Sequence, residues 1–189
     1  MASAWHWVSI GTADMEAALD FWVGRLGFEC VARAEGDDPG LREHWAFTDR
    51  QIARQAMVRS AGAENGGMHL VEWDLAAESV RAEAQVFDLC PKNLDIYVDD
   101  LPMRMAQLTE QGVVFRNERY SEAVSPDGVH FREIHLAGHD DINIVLLQVI
   151  GSDTPIPDSG FYGIGPLVCI VRYPAAEKHF IDSILGLSL

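Results

Sequence analysis

Histidines and carboxylates are the residues whose spacing in this sequence most directly suggests chemistry. His135 and His139 have HxxxH spacing, which on a helix would direct both imidazoles to one face. Gly138 and the two aspartates after His139 indicate a turn instead, and an extended segment would separate the rings by about 13 Å, too far to share an ion. His69 and Glu72 share a predicted strand, but their odd spacing directs them to opposite faces. Neither pair therefore predicts a metal site.

Other chemical signatures are missing from the sequence. No segment has the spacing of a serine or cysteine nucleophile system, a phosphate-binding loop or a dinucleotide fingerprint. The three cysteines, Cys30, Cys90 and Cys169, are widely spaced in apolar surroundings and form no CxxC pair. We therefore expect reduced core thiols and a cytoplasmic location.

The charge of the chain restricts its partners. Acidic residues outnumber basic ones by 29 to 14, and the formal net charge is −15. Nucleic acids and anionic membranes are disfavoured as partners because both require clustered Lys and Arg. No apolar run approaches the roughly 20 residues of a membrane span, and we expect no signal peptide. The acidity indicates either a soluble surface or attraction of a cationic ligand.

A strand, a capped helix and a stop glycine recur three times along the sequence. In residues 5–28 the apolar positions first alternate and then recur every three to four residues, and Asp14 precedes the helical pattern as a cap. Asp100 begins the second helix in the same way, and Pro174 opens the third. Glycines suited to end the three helices follow them: Gly27, Gly112 and Gly186.

Three further strands are predicted after each of the first two helices. In the first unit they start at Phe28 and span 55–60 and 68–73, and in the second unit they start at 113, 129 and 142. Asn65-Gly66 predicts a hairpin between the last two strands of the first unit. Residues 35–40 are predicted as a polar loop, and 75–87 as a short helix or an extended crossover.

This pattern predicts one complete domain over residues 1–150, with modules at 5–74 and 92–150. Residues 151–165 are rich in Gly, Pro and Ser and are predicted as a linker, and 166–189 as the start of an incomplete third module. The apolar residues of that module need a cover, because burying each one is worth roughly 1.5–3 kcal/mol. We expect the tail to pack on its own domain or on a second copy in a homodimer, unless the chain is a truncated form of a two-domain protein.

The repeat resembles the vicinal-oxygen-chelate superfamily of glyoxalase I, bleomycin-resistance proteins, methylmalonyl-CoA epimerase and extradiol dioxygenases. The resemblance is carried by Asp14, Ala18, Phe21, Trp22, Leu26, Gly27 and Phe28, by 98–101, Leu108, Gly112 and Val113, and by the closing strand 140–146. It implies an α+β fold in which paired βαβββ modules form a cup-shaped mixed sheet with helices outside. Ligands of this superfamily bind in the cup.

The resemblance also implies a divalent metal held by the first and last strands of each module. Counting back from the capping aspartates places the first-strand positions at Trp7 and Asn93, and the last-strand positions are taken as Glu72 and Val145. Only Glu72 is an ordinary metal ligand among them. We therefore predict no cofactor. A metal held by Glu72 and by His6 in a shifted register remains an alternative.

The remaining cup positions suggest binding and acid–base chemistry. The predicted ligand-binding residues are Trp5, Trp7, Ser9, Asn93, Asn143 and Val145. The two tryptophans would stack on a flat ring or a cation, or would fill the core. Glu72 and Asp95 are predicted as general base and acid, and Tyr97 as a proton donor to a developing oxyanion.

Three functions follow from these residues. Our prediction is a metal-independent lyase, isomerase or cyclase that acts on a small apolar or aromatic oxygenated metabolite. A drug- or metabolite-sequestering protein of bleomycin-resistance type is the first alternative. A metal-dependent glyoxalase or extradiol dioxygenase with an unorthodox or partner-completed site is the second, and Pro166 at the ligand position of the third unit weakens its dioxygenase form.

Overall fold

The computed structural model describes residues 6–75, 78–79, 81–85, 87–165 and 167–186. Trp5 and Pro166 lie outside the described residues, as does part of the segment 75–87, whose described part contains neither helix nor strand. None of the described helices is long and apolar enough to cross a membrane.

The first module forms a four-stranded mixed sheet in the order β1-β4-β3-β2, with β1 and β4 parallel. Its elements are β1 (Trp7–Thr12), α1 (Met15–Leu19, continued by a π-helical turn, Asp20–Arg25), β2 (Glu29–Glu35), α2 (Pro39–His44), β3 (Ile52–Arg59) and β4 (Gly67–Trp73). Helix α2 begins inside the polar loop predicted at residues 35–40, and no helix was predicted there. Asp38 caps it and Pro39 opens it, so its signal was the same cap and early proline that begin the helix after Asp100.

The second module repeats the arrangement, with β5 and β8 parallel in the order β5-β8-β7-β6. Its elements are β5 (Pro91–Val98), α3 (Leu101–Glu110), β6 (Ser121–Val124), β7 (His130–Ala137), a 3-10 turn (His139–Asp141) and β8 (Asn143–Val149). The strand predicted to start at 113 is reduced to one isolated bridge between Phe115 and Leu136. The predicted α+β fold with paired βαβββ modules is confirmed, although the two sheets are not closed into one.

Both sheets bury one face in a shared core. Val8, Ile10, Met68 and Leu70 face it from the first sheet, and the α1 residue Leu19 packs in the same core. The second sheet contributes Leu94, Ile96, Ile134, Leu136, Ile144 and Leu146. Because successive strand residues point to opposite faces, the residues between these apolar positions form a second face on each sheet, turned away from the core.

The predicted helix stops are confirmed by backbone conformation. Gly27, Gly112 and Gly186 have φ of 69°, 78° and 67°, values that glycine adopts without a Cβ penalty. The π-helical turn after α1 recurs after α4 (Pro174–His179, continued by Phe180–Ile184).

The third unit adds an antiparallel strand to the second sheet. Strand β10 (Leu167–Cys169) pairs with β5, beside the short strand β9 (Phe161–Tyr162). Phe161 and Ile164 belong to the core, so part of the predicted linker is integral to the fold. None of the residues of helix α4 and its extension is buried against the rest of this chain. The homodimer that would cover them stays a prediction.

A buried contact joins the two modules. Trp22 Nε1 in the extension of α1 donates a hydrogen bond of 2.9 Å to His139 Nδ1 in the turn before β8. The neighbouring Asp140 carboxylate accepts hydrogen bonds from the Thr12 hydroxyl (2.7 Å) and from the Ala13 backbone N–H (2.9 Å). Burial lowers the pKa of His139 to about 4, against the opposing effect of Asp140.

The His139 contact predicts acid sensitivity. The pKa of His139 is 6.5 in the unfolded chain and about 4 in the folded chain. At a solution pH between these two values the unfolded chain binds a proton at His139 that the folded chain does not, so acidification favours unfolding. His139→Gln keeps an acceptor for Trp22 and does not titrate. Relative to this variant, the wild type should lose about 2 kcal/mol of unfolding free energy from about pH 7.5 to about pH 5. Urea denaturation at both pH values measures the difference, and a constant difference would contradict the assignment.

Candidate functional site

An aromatic pocket lies on the first sheet, on the face turned away from the core. Its cavity is about 430 Å³ and is lined by Ser9, Ile10, Gly11, Trp45, Phe47, Val71 and Trp73. Trp73 comes from β4, whereas Trp45 and Phe47 come from the segment after α2. The ring centroids of Phe47 and Trp73 are 5.0 Å apart and those of Trp45 and Trp73 are 6.2 Å apart, so the three rings form one cluster.

His69 lies on the same face beside this cluster. It is the register partner of Ser9, and its Nδ1 is 3.4 Å from the Ser9 hydroxyl. Its Nε2 is 2.8 Å from Gln55 Oε1, and its ring centroid is 5.8 Å from that of Trp45. Burial lowers the pKa of His69, with Asp38 opposing the effect, so the imidazole is neutral at neutral pH.

Trp7 also lies on this face, at the start of β1. Its ring covers Gly67, and a Cβ at Gly67 would overlap the ring. Trp7 is 39% exposed, so it does not fill the core. His6 precedes β1 with an exposed side chain, and its backbone carbonyl accepts a hydrogen bond from Gly67 N–H.

The second sheet presents a polar face in the corresponding place. Asn93, Asp95 and Tyr97 alternate with the core residues of β5, and the Asn93 amide donates to the Asp95 carboxylate. Asp95 is 6% exposed, and burial raises its pKa to about 6, with Asn93 opposing and Glu133 reinforcing the shift. Burial, reinforced by Asp95, also raises the pKa of Tyr97. Two of the three predicted catalytic residues, the buried Asp95 and the half-buried Tyr97, therefore share one polar face.

Strands β7 and β8 complete the polar face. Asn143 donates to His135 Nδ1 at 3.1 Å and accepts from Arg116 Nε at 2.9 Å. Val145 is buried between its register partners Asp95 and His135. Because two strand spacings separate Asp95 from His135, roughly 10 Å, these two side chains are not hydrogen-bonded partners.

Glu72 is not on either of these faces, so its predicted position in the cup is wrong. It is the register partner of Thr12 and shares the parity of Leu70, which places it on the helix side of the sheet. Its carboxylate accepts from Met15 N–H at 2.9 Å and pairs with Arg54 at 2.7 Å. Gln148 accepts from Leu101 N–H in the second module in the same way. Glu72 therefore binds the first turn of α1. On the pocket side of β4, the residue with a side chain that can ligate a metal is His69.

The residues at the metal positions do not fit a metal ion. With His69 in place of Glu72, the four positions hold an indole, an imidazole, an amide and an isopropyl group, at Trp7, His69, Asn93 and Val145. Only the imidazole is an ordinary ligand. Among the described residues, no group of three or more His, Cys, Asp or Glu side chains is placed to hold a metal.

Sequence reasoning missed the main aromatic residues of the pocket. Trp45 and Phe47 follow α2, a helix that the sequence did not predict, and nothing local indicates that they fold back over β4. Trp73 and His69 share the parity of Val71 and not that of Leu70, but both Val71 and Leu70 are apolar and buried, so the alternation along β4 does not reveal which face carries the pocket. The resemblance placed Glu72 at a ligand position in the cup, and this implied that the residues of β4 that face the helix would face the cup.

Solved structures with this fold include a glyoxalase family protein from Bacillus cereus. It is 18% identical with a TM-score of 0.66, and the match covers 80% of this chain and 97% of that protein. Glyoxalase I from Zea mays is 14% identical with a TM-score of 0.66, over 98% of this chain and 56% of that one. A candidate dioxygenase from Bacillus subtilis is 16% identical with a TM-score of 0.65, over 98% and 55%. No protein-family model matches the chain, and no curated protein matches it significantly.

These comparisons show that the chain has the fold of the vicinal-oxygen-chelate superfamily, as the resemblance predicted. The identities are low, so the fold is what they show. The chain spans about half the length of the maize and Bacillus subtilis proteins, whereas the match to the Bacillus cereus protein covers nearly all of that protein.

The position of Glu72 predicts a structural role. Glu72→Leu removes the acceptor for Met15 N–H and the partner of Arg54, and should cost about 1–3 kcal/mol of unfolding free energy. Glu72→Gln keeps the acceptor, as Gln148 does, and should cost less than half as much. Denaturant unfolding of both variants measures the costs, and equal costs would contradict the helix-binding role.

The burial of Asp95 predicts the opposite pH dependence from His139. The folded carboxyl has a pKa of about 6 against an ordinary value of 3.8, so the folded state binds the extra proton and loses stability as pH rises through this window. Asp95→Asn does not titrate and still accepts from Asn93. Relative to the wild type it should gain about 1 kcal/mol between about pH 5 and about pH 8. Urea unfolding at the two pH values gives the comparison, and an unchanged difference would show that Asp95 is not destabilised when charged.

Proposed function

We propose that this chain binds a small, flat, apolar or aromatic metabolite in the aromatic pocket of the first sheet. The observation that carries the proposal is the cluster of Trp45, Phe47 and Trp73 around a cavity of about 430 Å³. Aromatic side chains that line a concave site bind flat ligands by stacking and by burial of apolar area. The Ser9 hydroxyl in the lining, with His69 Nδ1 3.4 Å from it, would orient a ligand that carries oxygen atoms.

The electrostatics of the pocket favour a neutral or cationic ligand over an anion. Among the described residues, no Lys or Arg lines the cavity, and the formal net charge of the chain is −15. A cation above the face of a tryptophan gains about 0.5–2 kcal/mol from the ring quadrupole. The long-range field of an acidic protein adds a preference that salt screens.

Acid–base catalysis without a metal is the second candidate function, and the buried Asp95 with the half-buried Tyr97 on the same face favours it. A carboxyl with a pKa of about 6 can hold or release a proton near neutral pH, which is what a general acid or base requires. Tyr97, two residues along β5 on the same face, would donate a hydrogen bond to a developing oxyanion. A lyase or isomerase reaction on an oxygenated metabolite fits these two groups.

Binding of two matched probes tests the proposed function. Naphthol and naphthyltrimethylammonium should quench the tryptophan fluorescence of the protein, with tighter binding of the cation that weakens as salt is added. Trp73→Ala should weaken both probes by roughly tenfold, the loss of one stacking partner. Tyr173→Ala, an exposed aromatic on the third unit, is the matched control and should leave both affinities unchanged.

The same titrations separate the two candidate functions. Asp95→Asn should leave naphthol binding unchanged, because Asp95 lies on the other sheet. Equal affinities of wild type and Trp73→Ala for both probes would overturn the aromatic pocket as the binding site.

A further inference from the structure

Three polar side chains cross the first sheet in one line at the edge of the aromatic pocket. Ser9 on β1 is the register partner of His69 on β4, and Gln55 on β3 lies diagonally across from His69, whose direct partner is Met57. The Ser9 hydroxyl is 3.4 Å from His69 Nδ1, and His69 Nε2 is 2.8 Å from Gln55 Oε1. Adjacent paired strands hold all three backbones, so the line does not depend on loops.

The hydrogen bond to Gln55 sets the tautomer of His69. An amide oxygen can only accept, so Nε2 carries the hydrogen and donates it to Gln55. The Nδ1 of a neutral imidazole is then an acceptor, and the hydroxyl that faces it is that of Ser9. The Trp45 ring, with its centroid 5.8 Å from that of the imidazole, restricts the rotation of His69 from the side.

This is the arrangement of an activated nucleophile: a hydroxyl, a base within reach of it, and a third group that orients the base. We propose that Ser9 and His69 are the nucleophile and general base of an esterase site, oriented by Gln55, which hydrolyses aromatic esters bound in the aromatic pocket. The inference rests on the proposed function, because the pocket supplies the substrate class. Ser9 itself lines the cavity beside Gly11 and Trp73, so an ester with its aryl group on the tryptophan would place its carbonyl near the hydroxyl.

The reaction balances with water as its only co-substrate. Ser9 Oγ attacks the ester carbonyl carbon while its proton passes to His69 Nδ1. The C–O bond to the leaving alcohol or phenol then breaks, and that oxygen takes the proton from His69, leaving an acyl-Ser9. Water attacks the acyl carbon, gives one proton to His69 and releases the carboxylic acid, and the proton returns to Ser9.

The surroundings of the imidazole suit the role of a base. Burial lowers the pKa of His69, which keeps Nδ1 free of a proton at neutral pH. Gln55 is neutral, so it orients the ring and accepts from the transient imidazolium without adding a full negative charge. Gln55 is therefore a positioning residue.

Hydrolysis of p-nitrophenyl acetate by the whole chain tests the proposal. Ser9→Ala and His69→Ala should each lower kcat/KM by at least roughly 100-fold. Ser125→Ala, in the turn before β7, is the matched control and should retain the wild-type rate. Phenylmethylsulfonyl fluoride should modify the wild type once, and peptide mass spectrometry should locate the adduct on Ser9. Equal rates in wild type and Ser9→Ala, or an adduct on another residue, would overturn the proposal.

Variants of Gln55 distinguish positioning from a structural role. Gln55→Glu places a carboxylate on Nε2–H, raises the pKa of His69 and should move the acidic limb of the pH–rate profile to higher pH. Gln55→Met should lower kcat with little change in KM, because the ring loses its orientation and the pocket keeps its shape. An unmoved pH profile in Gln55→Glu would contradict the role of Gln55.

Naphthol binding keeps failure of this inference apart from failure of the proposed function. Unchanged affinity of Ser9→Ala for naphthyltrimethylammonium, which has no oxygen atom for Ser9 to contact, together with lost hydrolysis supports both. Naphthol binding in a wild type whose hydrolysis does not depend on Ser9 overturns the esterase site and leaves the binding function standing. Ser9-dependent hydrolysis without naphthol binding overturns the aromatic pocket and keeps the nucleophile.

Discussion

The register between β1 and β4 is the constraint on which the rest of the first module depends. Pairing Ser9 with His69 and Thr12 with Glu72 decides which side chains face the core and which face the pocket. A slip of one residue would exchange the two sets, placing Glu72 in the pocket and Met68 and Leu70 in solvent. Burial of those apolar residues in the shared core excludes the slipped arrangement. The observed register therefore fixes the position of the pocket and the alignment of Ser9, His69 and Gln55.

The two modules share one framework and differ on the sheet faces that are turned away from the core. Both place an acceptor side chain under the first N–H of their helix, Glu72 in one and Gln148 in the other. On the face turned away from the core, the first sheet carries aromatic rings and the second sheet carries a buried carboxyl group and a tyrosine. The core faces are apolar in both because both contribute to a single core, whereas nothing in the packing requires the outer faces to match.

Buried polar groups hold the modules together and also limit stability. His139 gives up protonation to accept from Trp22, and Asp95 stays destabilised when it is charged. The first is compensated by a hydrogen bond between modules. The Asp95 carboxylate has one hydrogen-bonding neighbour, the Asn93 amide. Burying a charged carboxylate with so little compensation lowers stability, and such costs are typical of functional sites.

The sequence by itself determined the repeated strand, capped helix and stop glycine, because caps, prolines and left-handed glycines act through local backbone geometry. It determined the α+β class and the parity of β5, where Leu94, Ile96 and Val98 alternate cleanly with Asn93, Asp95 and Tyr97. It did not determine the parity of β4, whose consecutive buried residues Leu70 and Val71 leave the alternation ambiguous. Only the tertiary structure brought Trp45 and Phe47 onto Trp73 and aligned Ser9 with His69 and Gln55, because strand register and loop return are set by packing between residues distant in the chain.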